Sequence, residues 1–388
     1  MKHLEADHCS KPNDELIDKY NKLQEELTTY QLHDISDLHL RKHYNLKLIG
    51  EKLEINSCSF TPNRFMCDFC STVYDSKEEL DHKDEGFWCE ACDGFTYFNH
   101  TRPNHDRFIL ILEDPSEPAL KQEYKTDIKL SSHLSPLRYP GGKSKLVNYL
   151  YSHLSESKRK TLYSPFVGGG SYELALLHSE IISQLKINDL DYGVFSLWWT
   201  MLHMPSELIY RIQNDIPSRN QYFAAQRNIK NKFKGLDMIE AAWDTLLVNR
   251  LAFSGIPKAH PLGGKNGTQS KLLARWSPKT LIKRIQAISE MADKITITCQ
   301  DAYGFVEEAY WDTDGTIFVD PPYVSKGEAL YNHYYTATDH KNLAFLLNHL
   351  YQGMPGADII VTYDYNRLIT DSYEYQTESH VIGRKYSI

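Results

Sequence analysis

No run of apolar residues approaches the length of about 18 needed to cross a bilayer, so a membrane-spanning helix is not expected. The amino terminus, MKHLEADHCS, lacks the apolar stretch of a secretory leader, which points to a cytosolic address. Cysteine is sparse and odd in number, seven in 388 residues, and that argues against a disulfide framework. Metal ligation or plain burial remains for these residues. Internal repeats and low-complexity tracts are also missing. What is present is an ordinary globular composition, 41% hydrophobic and 24% charged, in a chain long enough for two or three domains.

Basic charge is scarce at one end and concentrated at the other. Residues 1–130 carry 16 Lys+Arg against 26 Asp+Glu, a balance of −10, while residues 131–388 carry 27 against 25. Within the second part, residues 211–284 hold 14 basic and 4 acidic residues, a balance of +10. An internal basic island of this kind is the electrostatic footprint of a polyanion partner, or else a solvated basic face.

Apolar periodicity divides the chain further. From Asn13, the residues Leu16, Tyr20, Leu23, Leu27 and Tyr30 recur at spacings of four and three behind an Asn/Asp start signal, predicting an amphipathic helix. After a cysteine-rich stretch and the run FILIL (108–112), the polar, proline-punctuated EDPSEPALKQEYKTD predicts a linker over 113–132. The expected domains are therefore 1–112 and 133–388. In the second, TLYS (161–164), LKIN (185–188), ITIT (295–298), TIFV (316–319) and DIIVT (358–362) alternate with helical patterns. Such alternation predicts an α/β fold with a doubly wound parallel sheet. The long gap between the second and third strands holds the basic island and reads as an inserted, mostly helical subdomain at about 205–290.

Four motifs carry chemistry. Cys67, Cys70, Cys89 and Cys92 form C-x2-C-x18-C-x2-C, the spacing by which two tight knuckles offer four thiolates to one tetrahedral Zn2+. Four thiolates close the coordination shell, so such a zinc is structural, within a small α+β amino-terminal domain. Cys9, Cys58 and Cys299 fall outside the pattern and are expected to be buried. PGGKSK (140–145) imitates the end of a phosphate-binding loop, but position 137 is Leu where that loop requires Gly, which removes a nucleotide-hydrolase reading. SPFVGGGS (164–171) follows the first strand and opens a helix, where glycines let the backbone approach a ligand, and the acidic Asp189 ends the next strand.

The fourth motif is the most informative. TIFV runs directly into Asp320, Pro321, Pro322 and Tyr323. An adenine amino group donates its lone pair into the ring and is a poor nucleophile. A carboxylate and a backbone carbonyl that accept both of its N–H bonds favour a tetrahedral nitrogen with a localised lone pair. Asp320 and the carbonyl of Pro321 are such acceptors, the prolines stiffen the loop, and Tyr323 can stack on a flipped-out base.

RYPGGK (138–143), SPFVGGGS, Asp189 within INDLD and TIFVDPPY, in this order with a basic insert before the last, resemble the Dam-type DNA N6-adenine methyltransferases. The resemblance covers about 135–388 and extends to NRLAFSG (249–255), similar to the start of that family's target-recognition region. It implies a Rossmann-like methyltransferase sheet, S-adenosylmethionine as cofactor and double-stranded DNA as partner. It also implies that Tyr139 and Lys143 border the cofactor, that Phe166 and Gly168 wrap its methionine end, that Asp189 binds its ribose and that Asp301 faces its adenine. Asp320 to Tyr323 would form the catalytic loop. Asn249, Arg250, Lys258, Lys265, Lys271 and Arg275, in or beside the glycine-rich GIPKAHPLGGKNG, are the expected DNA contacts. Ser164 departs from the family, which commonly has an acidic residue before Pro-Phe, and Thr362 and Tyr363 replace its Ser-Asn pair. The acidic zinc-binding part has no counterpart in the minimal family pattern and is available to a protein partner. Cytosine N4 methylation uses the same architecture but more often has Ser at the position of Asp320. A catalytically idle, zinc-containing nucleic-acid-binding module is the reading from another class, and the complete set of Lys143, Asp189 and Asp320 argues against it.

Overall fold

The structure, a computed structural model, describes residues 106–119, 128, 130–131, 133–139, 141–325, 327–330, 332–353 and 356–384, with five short strands between 65 and 97. The chain forms two compact units, Met1–His105 with His349–Pro355, and Asp106–Asn348 with Gly356–Ile388. In the first unit, β1 (Phe65–Met66) pairs antiparallel with β2 (Val73–Tyr74). There, β3 (Asp81–Lys83), β4 (Gly86–Cys89) and β5 (Gly94–Tyr97) form a three-stranded antiparallel sheet. The helix expected from Asn13 lies outside the described residues, as do Cys9, Cys58, Cys67, Cys70 and Cys92. Cys89 is the last residue of β4.

The second unit is built on seven parallel strands: β6 (Phe108–Ala119), β7 (Thr161–Ser164), β8 (Gln184–Asn188), β9 (Ile295–Thr298), β10 (Gly315–Val319), β11 (Asp358–Asp364) and β12 (Glu378–Gly383). Their order is β12-β6-β11-β10-β7-β8-β9. All five strands expected from apolar alternation are present. Their burial explains their composition: β7 and β10 are buried at every residue, as expected of parallel strands covered on both faces. The edge strand β12 instead alternates over its first four residues.

The boundary expected at 112 is corrected by β6. FILIL is an interior strand of this sheet, paired with β11 on one side and β12 on the other, and the segment 113–119 expected as linker continues the same strand. Phe108, Ile109, Leu110, Ile111 and Leu112 are at most 1% exposed. The register with β12 jumps from Glu113 opposite Ile382 to Ala119 opposite Gly383, so 114–118 bulge out of the ladder, and Gly383 comes so close that a Cβ would lie 1.9 Å from the Pro118 carbonyl oxygen.

Helices connect the strands. Among the described residues, the α-helices longer than one turn are α1 (Val147–Ser152), α2 (Ser171–His178), α3 (Tyr192–His203), α4 (Pro205–Asn214), α5 (Arg219–Lys230), α6 (Met238–Leu251), α7 (Pro278–Ser289), α8 (Ala302–Tyr310) and α9 (Ala337–Gly353). The segment expected as a helical insert runs from α4 through α7, between β8 and β9, and α3 packs against α6. Helix α2 is buried from Tyr172 to Leu177, including Glu173 in its first turn, which fits a sequence apolar on all sides. Strand order reverses between β7 and β10, and the crevice beyond their carboxyl ends is where sheets of this kind bind ligands. No helix among the described residues is long and apolar enough to cross a membrane.

Candidate active site

The turn after β7 builds one wall of the crevice. Gly168 and Gly170 adopt left-handed φ of +46° and +59°. A Cβ on Gly168 would lie 2.7 Å from the Tyr139 ring, and one on Gly170 2.6 Å from Trp198, so neither position has room for a side chain. Trp198 Nε1 donates to the Gly168 carbonyl at 3.0 Å. At the end of β8, Asp189 accepts from the Gly168 amide at 2.9 Å and from the Asp191 amide at 3.0 Å. Burial, then the neighbouring Asp191 carboxylate, pushes the Asp189 carboxyl up to about 7. Asn188, which sequence reasoning missed, is fully buried and donates to the carbonyls of Pro165 and Gln300, tying two loops of the crevice together.

Asp320 follows β10 on the opposite wall. Its Oδ1 receives Lys143 Nζ at 2.5 Å and the Thr362 hydroxyl at 2.8 Å. Oδ2 has no hydrogen-bond partner among the described residues. Lys143 also meets Glu113 Oε1 at 3.1 Å, and Glu113 Oε2 meets Arg384 Nη1 at 2.5 Å. Charges of alternating sign thus run Asp320, Lys143, Glu113, Arg384 through a buried region. Burial alone would depress the Lys143 ammonium, but Asp320 and Glu113 hold it above its ordinary value. Thr362, a departure from the family pattern, therefore orients the carboxylate, and Asp364 accepts from the amides of Val324 and Ser325 to hold the loop beyond the tetrapeptide. Glu113 and Arg384 were not foreseen. The only clue to Glu113 was an acid directly after an apolar run, and Arg384 left none.

The crevice brings together Tyr139, Lys143, Phe166, Gly168, Asp189, Asp320, Pro321 and Pro322, as expected. Asp301 is not on its wall. Its carboxylate caps α8 by accepting from the Tyr303 amide, and the adjacent Ala302 faces the crevice in its place. Tyr323 is 5% exposed, with its hydroxyl 3.3 Å from the Gly141 carbonyl and its ring 5.3 Å from Lys143 Nζ. It lines a second cavity that shares Tyr139, Gly142 and Ser171 with the first. Cys299 is exposed rather than buried, because it lies beyond the end of the edge strand β9.

The second cavity rearranges the expected DNA contacts. Asn249 is buried and both ends of its amide are occupied by the Arg138 backbone, at 2.8 and 3.0 Å, so it is a clamp within the fold and has no free edge for a base. Arg250 is 8% exposed, holds the Arg275 and Pro136 carbonyls, and lines the cavity beside Arg138 and Arg284. No carboxylate among the described residues lies within ion-pair distance of Arg138, Arg250, Arg275 or Arg284. Burial, then Arg138, Arg284 and Arg275, lowers the Arg250 guanidinium to about 10. Lys258, Lys265, Lys271 and Arg275 are exposed. Their glycine-rich loop is held by α5: Arg219 donates to the Gly267 and Thr268 carbonyls, and Tyr222 to that of Ala259.

A reversed parallel sheet, a glycine turn against Asp189 and a carboxylate followed by two prolines make up the fold and site of a Rossmann-like methyltransferase. The model of the D12 class N6 adenine-specific DNA methyltransferases matches residues 139–388, well over half of the chain, and the protein belongs to that family. It is a methyltransferase whose substrate is DNA and whose target is N6 of adenine. The comparison with curated proteins gave no match.

Proposed function

We propose that the enzyme uses S-adenosylmethionine and methylates an adenine turned out of double-stranded DNA, with Asp320 as the catalytic carboxylate. The observation that carries this reading is the division of labour on Asp320, whose Oδ1 is fixed by Lys143 and Thr362 while Oδ2 has no partner. Oδ2 and the Pro321 carbonyl are then the acceptors for the two amino hydrogens of adenine. The cofactor, when bound, supplies an electrophilic methyl group. Its chemistry fits the crevice: it is cationic at the methionine end, and the wall carries Glu173, Asp189, Asp191 and Asp320 with Lys143 as its one Lys or Arg. Tyr139, Phe166 and Gly168 shape that end, and Asp189 accepts from the ribose hydroxyls. Positioning and fixed charge supply most of the acceleration.

DNA is placed over the second cavity, where unpaired arginines offer sites for phosphate and Tyr323 forms a wall against which the base can stack. The exposed Lys258, Lys265, Lys271 and Arg275 extend this basic surface. In the amino-terminal part, the C-x2-C-x18-C-x2-C spacing of Cys67, Cys70, Cys89 and Cys92 supports one structural zinc. Metal analysis of unchelated protein should find about one zinc per chain. Asp320→Ala is expected to lower methyl transfer by about 10^3-fold or more while cofactor affinity stays within a few-fold. Asp189→Ala should do the reverse. Transfer at the wild-type rate in the Asp320 variant would overturn the assignment.

A further inference from the structure

Of the four carboxylates on the crevice wall, three have evident work. Asp320 holds Lys143, Asp189 accepts from the amides of Gly168 and Asp191, and Asp191 caps α3 while accepting from Asn332 at 2.9 Å. Glu173 does none of these. It is 3% exposed, lies in the first turn of α2 between buried Tyr172 and Leu174, and has no Lys or Arg within ion-pair distance among the described residues. Its Oε1 accepts from the Ser164 hydroxyl at 2.8 Å. Packing alone does not explain a carboxylate here, since an apolar residue would fill a buried helical position without the cost of desolvating a charge.

Ser164 supplies the complementary observation. Proteins resembling this one commonly carry an acid at that position, immediately before Pro165 and Phe166. Here the hydroxyl of residue 164 touches a carboxylate that arrives from the neighbouring helix instead. Two acids within 2.8 Å would repel, whereas a serine donates a hydrogen bond and fixes the carboxylate at the crevice. At this point of the crevice the carboxylate comes from α2, and β7 supplies the hydroxyl that holds it.

We infer that Glu173, oriented by Ser164, accepts the α-ammonium group at the methionine end of the cofactor. The inference rests on the reading that S-adenosylmethionine fills this crevice. Burial, partly opposed by the Ser164 hydrogen bond and reinforced by Asp320, pushes the Glu173 carboxyl up to about 7, the state of an acid still lacking its cation. An ammonium donor suits it better than a sulfonium, which has no hydrogen to donate.

Calorimetric titration of the full chain with S-adenosylmethionine, S-adenosylhomocysteine and 5′-methylthioadenosine tests this without turnover. The first two ligands carry the α-ammonium, and the third lacks the amino-acid part altogether. Glu173→Gln keeps the shape and the Ser164 hydrogen bond but removes the charge. It should weaken the first two ligands by about tenfold or more and leave 5′-methylthioadenosine within about twofold. Moving the acid to β7, in the double variant Ser164→Asp with Glu173→Gln, should restore most of the lost affinity. Unchanged binding in Glu173→Gln, equal weakening of all three ligands, weakening of S-adenosylmethionine alone, or a double variant no tighter than Glu173→Gln would each overturn the inference. Wild-type protein that binds none of the three would overturn the cofactor reading and this inference with it.

Discussion

Two charged clusters meet at Gly142, and they obey opposite rules. In the chain from Asp320 through Lys143 and Glu113 to Arg384, each charge has an opposite neighbour at 2.5 to 3.1 Å. Around the second cavity, Arg138, Arg250 and Arg284 have carbonyl partners or none, and no carboxylate within ion-pair distance among the described residues. Alternating signs give a preorganised site whose geometry is settled before substrate arrives. Like signs in close quarters raise the energy of the empty protein and are relieved when an anion enters. One cluster is built for position and the other for a polyanion.

The largest effect is expected from removing what supports the alternating cluster. Starting the chain at 113 deletes Phe108–Leu112, five buried apolar residues worth roughly 1.5–3 kcal/mol each, a sum comparable to the whole stability of a domain. Circular dichroism should show no cooperative melting of that fragment. A start at 106 should retain it, because Asp106 keeps its contacts to Lys158 and the Gly356 amide. Comparable melting of the two fragments would show that β6 is dispensable.

Breaking the alternation at its centre comes next. Glu113→Ala leaves Lys143 and Arg384 buried without their shared partner and should cost about 3–5 kcal/mol in urea unfolding. A loss below about 1 kcal/mol would mean that the chain of charges contributes little.

Glu173 sharpens the comparison from within the acidic wall. Its carboxyl is raised from 4.5 to about 7, so the folded state binds more protons than the unfolded state between these values and stability falls as pH rises through them. Glu173→Gln should match the wild type near pH 4 and exceed its stability by about 1–3 kcal/mol at pH 8, without ligand. Equal stabilities at both pH values would show that the buried acid is not strained.

The unpaired cluster should respond least in stability and most in binding. Arg138→Gln with Arg284→Gln removes repulsion, so unfolding stability should hold or rise by up to about 1 kcal/mol. DNA affinity by fluorescence anisotropy should fall about tenfold, with a salt slope shallower by roughly two. Lower stability with an unchanged salt slope would make these arginines structural.

Legibility in the sequence followed the range of the interaction. The five strands were readable because each is a local apolar run between helical patterns. The place of β6 was not, since pairing Ile109 with both Ile360 and Glu378 is decided across more than 250 residues, and its acidic second half imitates a linker. Most of the crevice was foreseen from contiguous motifs. Asp301 stands off the crevice wall because an acid one residue before a helix also serves as its cap, and Asn249 ties the Arg138 backbone because a polar residue inside a motif can hold the fold.

By itself the sequence determined what depends on neighbouring residues: the alternation of strand and helix, the glycine turn, the Asp-Pro-Pro-Tyr loop, the basic island and the spacing of the four cysteines. Tertiary structure alone decided which distant groups share an electrostatic field. Glu113 and Arg384 are separated by 271 positions and joined at 2.5 Å, and Glu173 reached the crevice by standing next to a serine. A charge acts over a few ångströms of low-dielectric space whatever its distance along the chain, so these partnerships become visible only when the sheet has brought the strands together.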